Sequence, residues 1–147
     1  MTNLEKIFDV RKISEKQSGN VAFTYRNVEY IGDKKEMQSL YLSEGIAVGI
    51  EEETGRIDFT CNYRDYYVPN TMPLSLRGAP DGVMNVLELY PNSKSKIEKV
   101  IYGKSDIRLI VSREKESYEL SISISKIREL GSKKKKVTIR LEDILDK

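Results

Sequence analysis

The chain of 147 residues contains no histidine, no tryptophan and a single cysteine. Without histidine it lacks the commonest general base, the usual serine and cysteine triads, and the ligand that most catalytic zinc sites use. A lone cysteine, Cys61, permits neither an intramolecular disulfide nor a thiolate cluster. No glycine-rich phosphate loop and no nucleophile elbow is present. We therefore expect a non-catalytic protein that uses no metal and no cofactor.

Long apolar runs are also missing. The first ten residues include Glu5, Lys6 and Asp9, so they cannot form the apolar core of a signal peptide. No uncharged stretch approaches the ~20 residues of a membrane-spanning helix. Together with the single cysteine, this predicts a cytoplasmic protein. The length and a charged fraction of 33% suit one well-solvated globular domain over residues 1–147.

Alternation of apolar and polar residues is the dominant signal that is present, and it predicts strands with one buried face. Two hairpins are expected, one pairing residues 21–25 with 28–31 and the other pairing residues 46–50 with 57–63. Asn27 and Gly55 lie in the connecting turns, where both residue types tolerate positive φ. Cys61 alternates with Phe59 and Tyr63, which predicts a buried, unreactive thiol.

The last third of the chain repeats this alternation in residues 107–111, 118–124 and 137–141, which predicts a three-stranded meander. The sequence therefore indicates a β-rich α+β protein. We expect seven or eight mainly antiparallel strands in a sandwich or partly closed barrel, with one to three short helices. The expected core consists of Ile46, Val48, Ile57, Phe59, Leu109, Leu120, Ile122, Val137 and Ile139.

Helical spacing is rarer. Ile97, Val100 and Ile101 stand at i, i+3 and i+4, which predicts a helix over residues 95–102. Residues 81–90 fit a helix or a buried strand, and a short helix is expected near residues 4–8. Residues 65–80 contain three prolines and form the longest irregular stretch, and loops of this length are often functional.

Charge is distributed unevenly along the chain. Residues 1–91 hold 10 basic and 14 acidic side chains, whereas residues 92–147 hold 15 basic and 9 acidic ones. The densest basic segment is Lys133, Lys134, Lys135 and Lys136. It is interpreted either as a solvated turn or as a surface that contacts phosphate or an acidic partner.

A second cluster combines aromatic rings with guanidinium groups. Side chains of these types can stack on a base and hold a phosphate. If the fold brings them together, the ligand-binding residues are Arg26, Arg56, Tyr63, Arg64, Tyr66, Tyr67 and Arg77. The alternative is that they are ordinary strand tyrosines and surface ion pairs.

Two further polar features have weaker functional interpretations. Glu51, Glu52 and Glu53 with Asp58 could hold magnesium, although an acidic turn is more often only solvated. The serines at 121, 123 and 125 form a polar stripe on a predicted strand, which suits solvent, an edge for pairing, or a polar ligand.

The leading hypothesis is therefore a binding protein for a nucleic acid or a nucleotide. The alternative is a protein-interaction module, such as an inhibitor or assembly subunit, that acts through a sheet edge and the 65–80 loop, with a protein partner or a second copy of the chain. The small size and the lysine and isoleucine content are compatible with an accessory protein of a phage or another mobile element.

Overall fold

The computed structural model describes residues 7–14, 19–62, 83–133 and 135–145, which form ten strands and three helices. The strands are β1 (Asp9–Ile13), β2 (Val21–Tyr25), β3 (Val28–Ile31), β4 (Ala47–Ile50), β5 (Ile57–Asn62), β6 (Val83–Tyr90), β7 (Ser95–Tyr102), β8 (Asp106–Arg113), β9 (Glu116–Ser123) and β10 (Val137–Arg140). The helices are α1 (Lys34–Glu44), α2 (Ile124–Ser132) and α3 (Leu141–Leu145).

The strands form two open sheets. The six-stranded sheet has the order β1-β9-β8-β7-β3-β2, and the four-stranded sheet has the order β10-β6-β5-β4. Each sheet has one parallel pair, β3 with β7 and β6 with β10, and its other pairs are antiparallel. The expected β-rich α+β class is confirmed. Because both sheets are open and share one core, the sandwich describes the protein better than the barrel.

Both sheets contribute to a single main hydrophobic core. Of the nine residues expected there, eight are buried, and Val137 is partly buried against the same cluster. Phe59, which is fully buried, meets the ring of Phe8 edge to face with 5.9 Å between centroids. Cys61 is 3% exposed, as its position in the alternation predicts.

Both predicted hairpins are confirmed. Tyr25 pairs with Val28 across a two-residue turn, in which Arg26 and Asn27 have φ angles of 52° and 67°. Two consecutive positive φ angles define the type I′ turn that suits the twist of a hairpin. The second hairpin joins β4 to β5, and Gly55 in its turn has a φ of 74°.

The predicted helix over 95–102 is wrong, because these residues form β7. The pairing of β7 with β8 shifts between Ile97 and Lys99, so Glu98 is an extra residue in the ladder. This bulge returns Val100 to the core face that Ile97 occupies, while Ile101 lies in a separate cluster on the opposite face. A bulged strand thus produces the i, i+3, i+4 spacing of a helix.

The C-terminal meander is also wrong in two respects. β9 ends at Ser123, whose hydroxyl accepts a hydrogen bond from the Lys126 backbone N–H and begins α2. Apolar residues then follow at helical spacing, and α2 carries the chain away from β9. β10 consequently joins the other sheet, parallel to β6. Residues 83–90, which fit either element, form the strand β6.

α1 does not follow from the apolar pattern, because only Met37 in it is buried. Its ends are nevertheless well defined. The Asp33 carboxylate accepts hydrogen bonds from the backbone of Lys35 and Glu36, and Gly45 ends the helix with a φ of 70°. Residues 1–6 lie outside the described part, and the described residues 7 and 8 are not helical. Within the described ranges no helix is long and apolar enough to span a membrane.

Candidate functional site

The free edges of the two sheets differ in what protects them from pairing with another strand. β1, at one edge of the six-stranded sheet, is charged: Arg11 pairs with Glu119 at 2.9 Å and Lys12 with Glu116 at 2.8 Å. β10, at one edge of the four-stranded sheet, carries the exposed Arg140 and follows the lysine run. Charged side chains on an edge oppose the approach of a further strand.

β4, the other edge of the four-stranded sheet, is closed by two tyrosines of the opposite sheet. The Tyr30 hydroxyl donates a hydrogen bond to the Val48 carbonyl at 3.1 Å, and the Tyr102 hydroxyl accepts one from the Val48 N–H at 3.2 Å. Burial raises the pKa of both tyrosines, that of Tyr102 to about 12, so both hydroxyls stay protonated at neutral pH. The backbone of Val48 is therefore not available to another strand.

β2, the other edge of the six-stranded sheet, has neither charge nor such closure among the described residues. Val21, Phe23 and Tyr25 are 47%, 40% and 40% exposed. They are three of the five large hydrophobic side chains that are exposed in the described part of the chain. The exposed apolar surface is therefore concentrated on this one edge strand.

A bulge in β2 decides which way these side chains face. Val21 pairs with Ile31, and Phe23 pairs with Tyr30, so Ala22 is the extra residue. Phe23 stacks on Tyr30, with 4.4 Å between ring centroids and 15° between ring planes. Phe23 therefore lies on the face toward the four-stranded sheet, whereas Val21 shares the opposite face with Ile31. Simple alternation would put Val21 and Phe23 on the same face of the sheet, and the bulge places them on opposite faces.

The tip of the β2–β3 hairpin is fixed against the turn between β4 and β5. The Tyr25 hydroxyl donates to the Glu52 carboxylate at 3.3 Å, and the Arg26 guanidinium donates to the Glu52 backbone carbonyl at 2.8 Å. The same guanidinium lies 5.9 Å from the centroid of the Tyr25 ring. These contacts hold the exposed end of β2 in place.

Among the described residues, no strand pairs with the outer side of β2 at Thr24. Because Tyr25 and Val28 flank a two-residue turn, they form a hydrogen-bonded pair, and the next pair, Thr24 with Glu29, is a non-hydrogen-bonded one. In such a pair the N–H and C=O groups point away from the neighbouring strand. Thr24, which is exposed, thus presents a donor and an acceptor to the outside of the sheet.

Several residues of the predicted ligand site, and the 65–80 loop, lie outside the described residues. These are Tyr63, Arg64, Tyr66, Tyr67, Arg77 and Lys134. Arg26 and Arg56 both lie at the β4–β5 turn. Arg26 donates a hydrogen bond to the backbone carbonyl of Glu52 in this turn, and Arg56 is the last residue of the turn before β5. Whether they converge with the tyrosines stays a prediction.

Arg56 is engaged by acidic groups on the four-stranded sheet. Its Nε and Nη2 atoms donate to the two oxygens of Asp58 at 2.6 and 3.0 Å, and Nη2 is 4.0 Å from Glu88. The guanidinium also lies 5.8 Å from the Tyr90 ring centroid. Lys136 pairs with Glu88 at 3.2 Å. The positive charges of Arg56 and Lys136 are thus balanced locally.

Glu88 needs these cations because it is 4% exposed and lies directly opposite Asp58 in the β5–β6 ladder. Burial raises the pKa of Glu88, but hydrogen bonds from Asn85 and Lys136 and the charge of Arg56 outweigh it, so the net pKa is lowered. Like charges placed opposite each other on two strands destabilise a sheet unless they are compensated. This cluster therefore stabilises the contact of β5, β6 and β10.

The lysine run is also partly neutralised. Lys133 pairs with Glu129 at 3.0 Å, and Glu129 is also paired with Lys126 at 3.4 Å. These charges lower the pKa of Glu129, with the hydrogen bond from Lys133 as the largest cause. Lys135 is exposed. In the described residues, the predicted basic surface thus contains carboxylates as well as ammonium groups.

The acidic turn has a structural use. The Glu51 carboxylate accepts hydrogen bonds from the Thr54 backbone at 2.8 Å, from the Thr54 hydroxyl at 2.8 Å and from the Glu53 backbone at 3.1 Å. The bonds from Thr54 are the largest causes of a lowered Glu51 pKa. No group of three or more metal-ligating side chains occurs in the described ranges. The magnesium alternative therefore has no support there.

The serine stripe does not continue as expected. Ser121 donates to the Asp106 carboxylate at 3.0 Å, Ser123 caps α2, and Ser125 lies inside that helix. Only Ser121 and Ser123 belong to β9, so a continuous polar strand face through Ser125 is wrong.

Two grooves of about 490 and 430 Å³ are lined by side chains of both charge signs. The first contains Lys94 and Arg113 beside three glutamates, and the second contains Lys104 beside acidic residues of α1. Neither has the charge of one sign that recognises a phosphate or a metal ion.

Comparison with known proteins finds no matching family model, no similar curated protein and no similar solved structure. Exposed aromatic side chains beside an arginine have the composition of protein interfaces, and an open strand edge supplies backbone partners in addition.

Proposed function

We propose that this protein is a protein-interaction module that binds an extended segment of a protein chain along β2. The observation that carries the proposal is the exposure of Val21, Phe23 and Tyr25 on an uncharged edge strand. In this type of recognition, backbone hydrogen bonds supply affinity and side chains on alternate positions supply specificity. Thr24 offers the backbone groups, and Phe23 and Tyr25 offer the aromatic contacts.

The fixed hairpin tip favours this function. An edge strand that is already ordered loses little conformational freedom when a partner binds. Tyr25 and Arg26 are held by Glu52, and Phe23 is held by its stacking on Tyr30. Tyrosine, phenylalanine and arginine are also the residue types that are enriched at interfaces.

The test compares two substitutions of one residue. Thr24→Pro removes the outward N–H, and proline is compatible with an edge strand whose N–H faces solvent. Thr24→Val keeps that N–H and changes only the side chain. We expect tagged wild-type protein and Thr24→Val to retain a stoichiometric protein complex from source cells, and Thr24→Pro to lose it. A photo-crosslinker at position 25 should label the same partner. Retention of every partner by Thr24→Pro, with no crosslink from position 25, refutes the proposal.

We propose binding of a phosphate-bearing ligand, a nucleic acid or nucleotide, as the second candidate function. The observation in its favour is the half-exposed ring of Tyr25 beside the Arg26 guanidinium, since a ring can stack on a base while an adjacent cation meets the phosphate. The ion pairs of Arg56, Lys133 and Lys136 count against a broad phosphate surface.

Fluorescence anisotropy with labelled single-stranded DNA, RNA and a nucleotide tests this second candidate at low salt. Binding that weakens steeply with salt and is lost in Tyr25→Ala and Arg26→Ala supports it. Glu52 variants are the control, because they remove the contact of Glu52 with the Tyr25 hydroxyl while leaving Tyr25 and Arg26 in the chain. No binding of any of the three probes refutes it.

A further inference from the structure

We infer that the partner of β2 is a second copy of this chain, whose own β2 pairs with it antiparallel about a two-fold axis at Thr24. This inference rests on the proposed function and specifies its partner. It joins the two six-stranded sheets into one continuous sheet, and Thr24 is where the free backbone groups lie.

The register of the intermolecular ladder follows from the alternation of hydrogen-bonded and non-hydrogen-bonded pairs in the β2–β3 hairpin. Thr24 points its N–H and C=O outward, so it must occupy a hydrogen-bonded position in any ladder on the free side. A two-fold axis at this residue makes Thr24 and the partner subunit's Thr24 exchange both bonds. Phe23 then lies opposite the partner subunit's Tyr25, and Tyr25 opposite the partner subunit's Phe23. Both are non-hydrogen-bonded positions, where side chains on opposite strands are closest.

Side-chain chemistry favours a second β2 over a charged segment. Residues 21–25 contain no charge, so a strand of Val-Ala-Phe-Thr-Tyr meets an equally uncharged surface in another copy. Phe23 and Tyr25 share one face, so the antiparallel pair forms two aromatic contacts on that face. Of the other described edges, β1 carries Arg11 and Lys12, β10 carries Arg140, and β4 is closed by tyrosines, so none of them offers this match.

Arg26 selects the antiparallel direction. In a parallel pair the two Arg26 side chains lie side by side, whereas in the antiparallel pair they lie at opposite ends of the ladder, each opposite Ala22. The net charge of +2 adds little repulsion between two copies. The bulge at Ala22 ends regular pairing, which keeps the ladder short. We therefore expect a reversible dimer whose population depends on protein concentration.

Sedimentation velocity of the purified protein tests this dimer. The 16.9 kDa chain should convert to a species of twice that mass as concentration rises. Thr24→Pro should weaken dimerisation about ten-fold or more, because each copy loses its outward donor. Thr24→Val should dimerise like the wild type. Circular dichroism and thermal unfolding verify that each variant is folded.

A pair of charged variants tests the two-fold register directly. Thr24→Glu places two carboxylates opposite each other, between the two Glu29 side chains that neighbour position 24 in each sheet. This variant should be monomeric where the wild type is dimeric. Mixing it with Thr24→Lys should restore a one-to-one heterodimer, because opposite charges then face each other.

Three outcomes overturn the inference: a wild-type protein that stays monomeric at every concentration, a Thr24→Glu variant that dimerises like the wild type, or a mixture without heterodimer. A monomeric wild type that still captures another protein in a Thr24-dependent way refutes the dimer and leaves the proposed function standing. A monomeric wild type that also captures no other protein refutes both the dimer and the proposed function.

Discussion

Replacing Tyr102 or Tyr30 by phenylalanine removes one of the two hydroxyl groups that close the β4 edge. Tyr102→Phe leaves the Val48 N–H without its acceptor at 3.2 Å, and Tyr30→Phe leaves the Val48 carbonyl without its donor at 3.1 Å. Val48 is 6% exposed and Tyr30 is 3% exposed, so water has little access to the orphaned groups. The packing of either ring is unchanged, since only an oxygen atom is lost.

An unsatisfied buried backbone group costs about 1–3 kcal/mol. Both hydrogen bonds are at the long end of the usual range, so we expect the lower half of that interval, about 1–2 kcal/mol, for each single variant. In a chain of this size, each kcal/mol corresponds to a decrease of about 2–4 °C in Tm. Because both hydroxyls bind the same residue, the two substitutions should be non-additive.

Urea unfolding of the four proteins of the double-mutant cycle measures these free energies. Amide exchange gives a local readout, since only Tyr102→Phe removes the partner of the Val48 N–H and should accelerate its exchange. Tyr118→Phe is the matched control, because its exposed hydroxyl binds Glu116 at 2.6 Å on the surface. We expect a change within about 0.5 kcal/mol for this control. Losses at Tyr30 and Tyr102 no larger than this refute the closure of β4 by the two hydroxyls.

The same pair predicts the alkaline limit of stability. Burial raises the Tyr102 pKa from an ordinary 10.0 to about 12, and the Tyr30 pKa is raised as well. Between these pH values the unfolded chain has lost protons that the folded chain retains. The stabilisation is therefore complete below pH 10 and is lost as pH rises toward 12. The double phenylalanine variant should show a shallower decline in unfolding free energy over this range.

Three further substitutions have defined outcomes. Arg56→Met leaves Glu88 and Asp58 opposed without their shared cation, and should lower the urea midpoint at pH 7. Gly45→Ala forces a side chain into a φ of 70° and against Asn62, and should reduce unfolding free energy by about 1–3 kcal/mol, measured by denaturant titration. Phe59→Ala empties the centre of the core and should reduce it by about 3–5 kcal/mol in the same titration.

Local features of the fold could be predicted from sequence, because they depend on residues close together in the chain. The turn at Arg26 and Asn27 and the turn containing Gly55 set two hairpins, and alternation identified the buried residues of β5. In β9 alternation identified Leu120 and Ile122, but it placed Glu119 on the solvent face, and Glu119 is only 6% exposed. β7 shows the limit of this approach. Its extra residue, Glu98, changes the side-chain period, and whether a ladder accepts a bulge depends on the strand beside it.

The helices illustrate a different limit. α1 buries only Met37, so its apolar pattern is uninformative, yet Asp33, Glu36 and Gly45 stand where a helix begins and ends. These capping residues were the available signal. In α2, the alternation of the preceding strand runs into the helical spacing of Ile124, Ile127 and Leu130 without a break. The change of element is marked only by the Ser123 cap.

The exposure of β2 could not be predicted from the sequence, because it depends on the topology of the sheet. Val21, Phe23 and Tyr25 read as an ordinary half-buried strand, and their exposure arises because β3 pairs with β7 and leaves β2 outermost. That parallel pairing joins segments about 70 residues apart, which turn chemistry cannot predict. The predicted Arg26 lies at this edge, where it contacts Tyr25 and Glu52.

The two outer strands β4 and β2 differ in how their outward backbone groups are engaged. Both strands are outermost, and both belong to hairpins that meet at Glu52. At β4, the hydroxyls of Tyr30 and Tyr102 occupy the backbone C=O and N–H of Val48, so Val48 cannot pair with a further strand. At β2, the bulge at Ala22 interrupts regular pairing at one end of the strand only. Near the other end, Thr24 points its backbone N–H and C=O outward, between the exposed rings of Phe23 and Tyr25. A lysine at position 24 would be enough to protect this edge from pairing with another strand, and neither the type I′ turn nor the core would be disturbed by it. The chain has the uncharged Thr24 there instead.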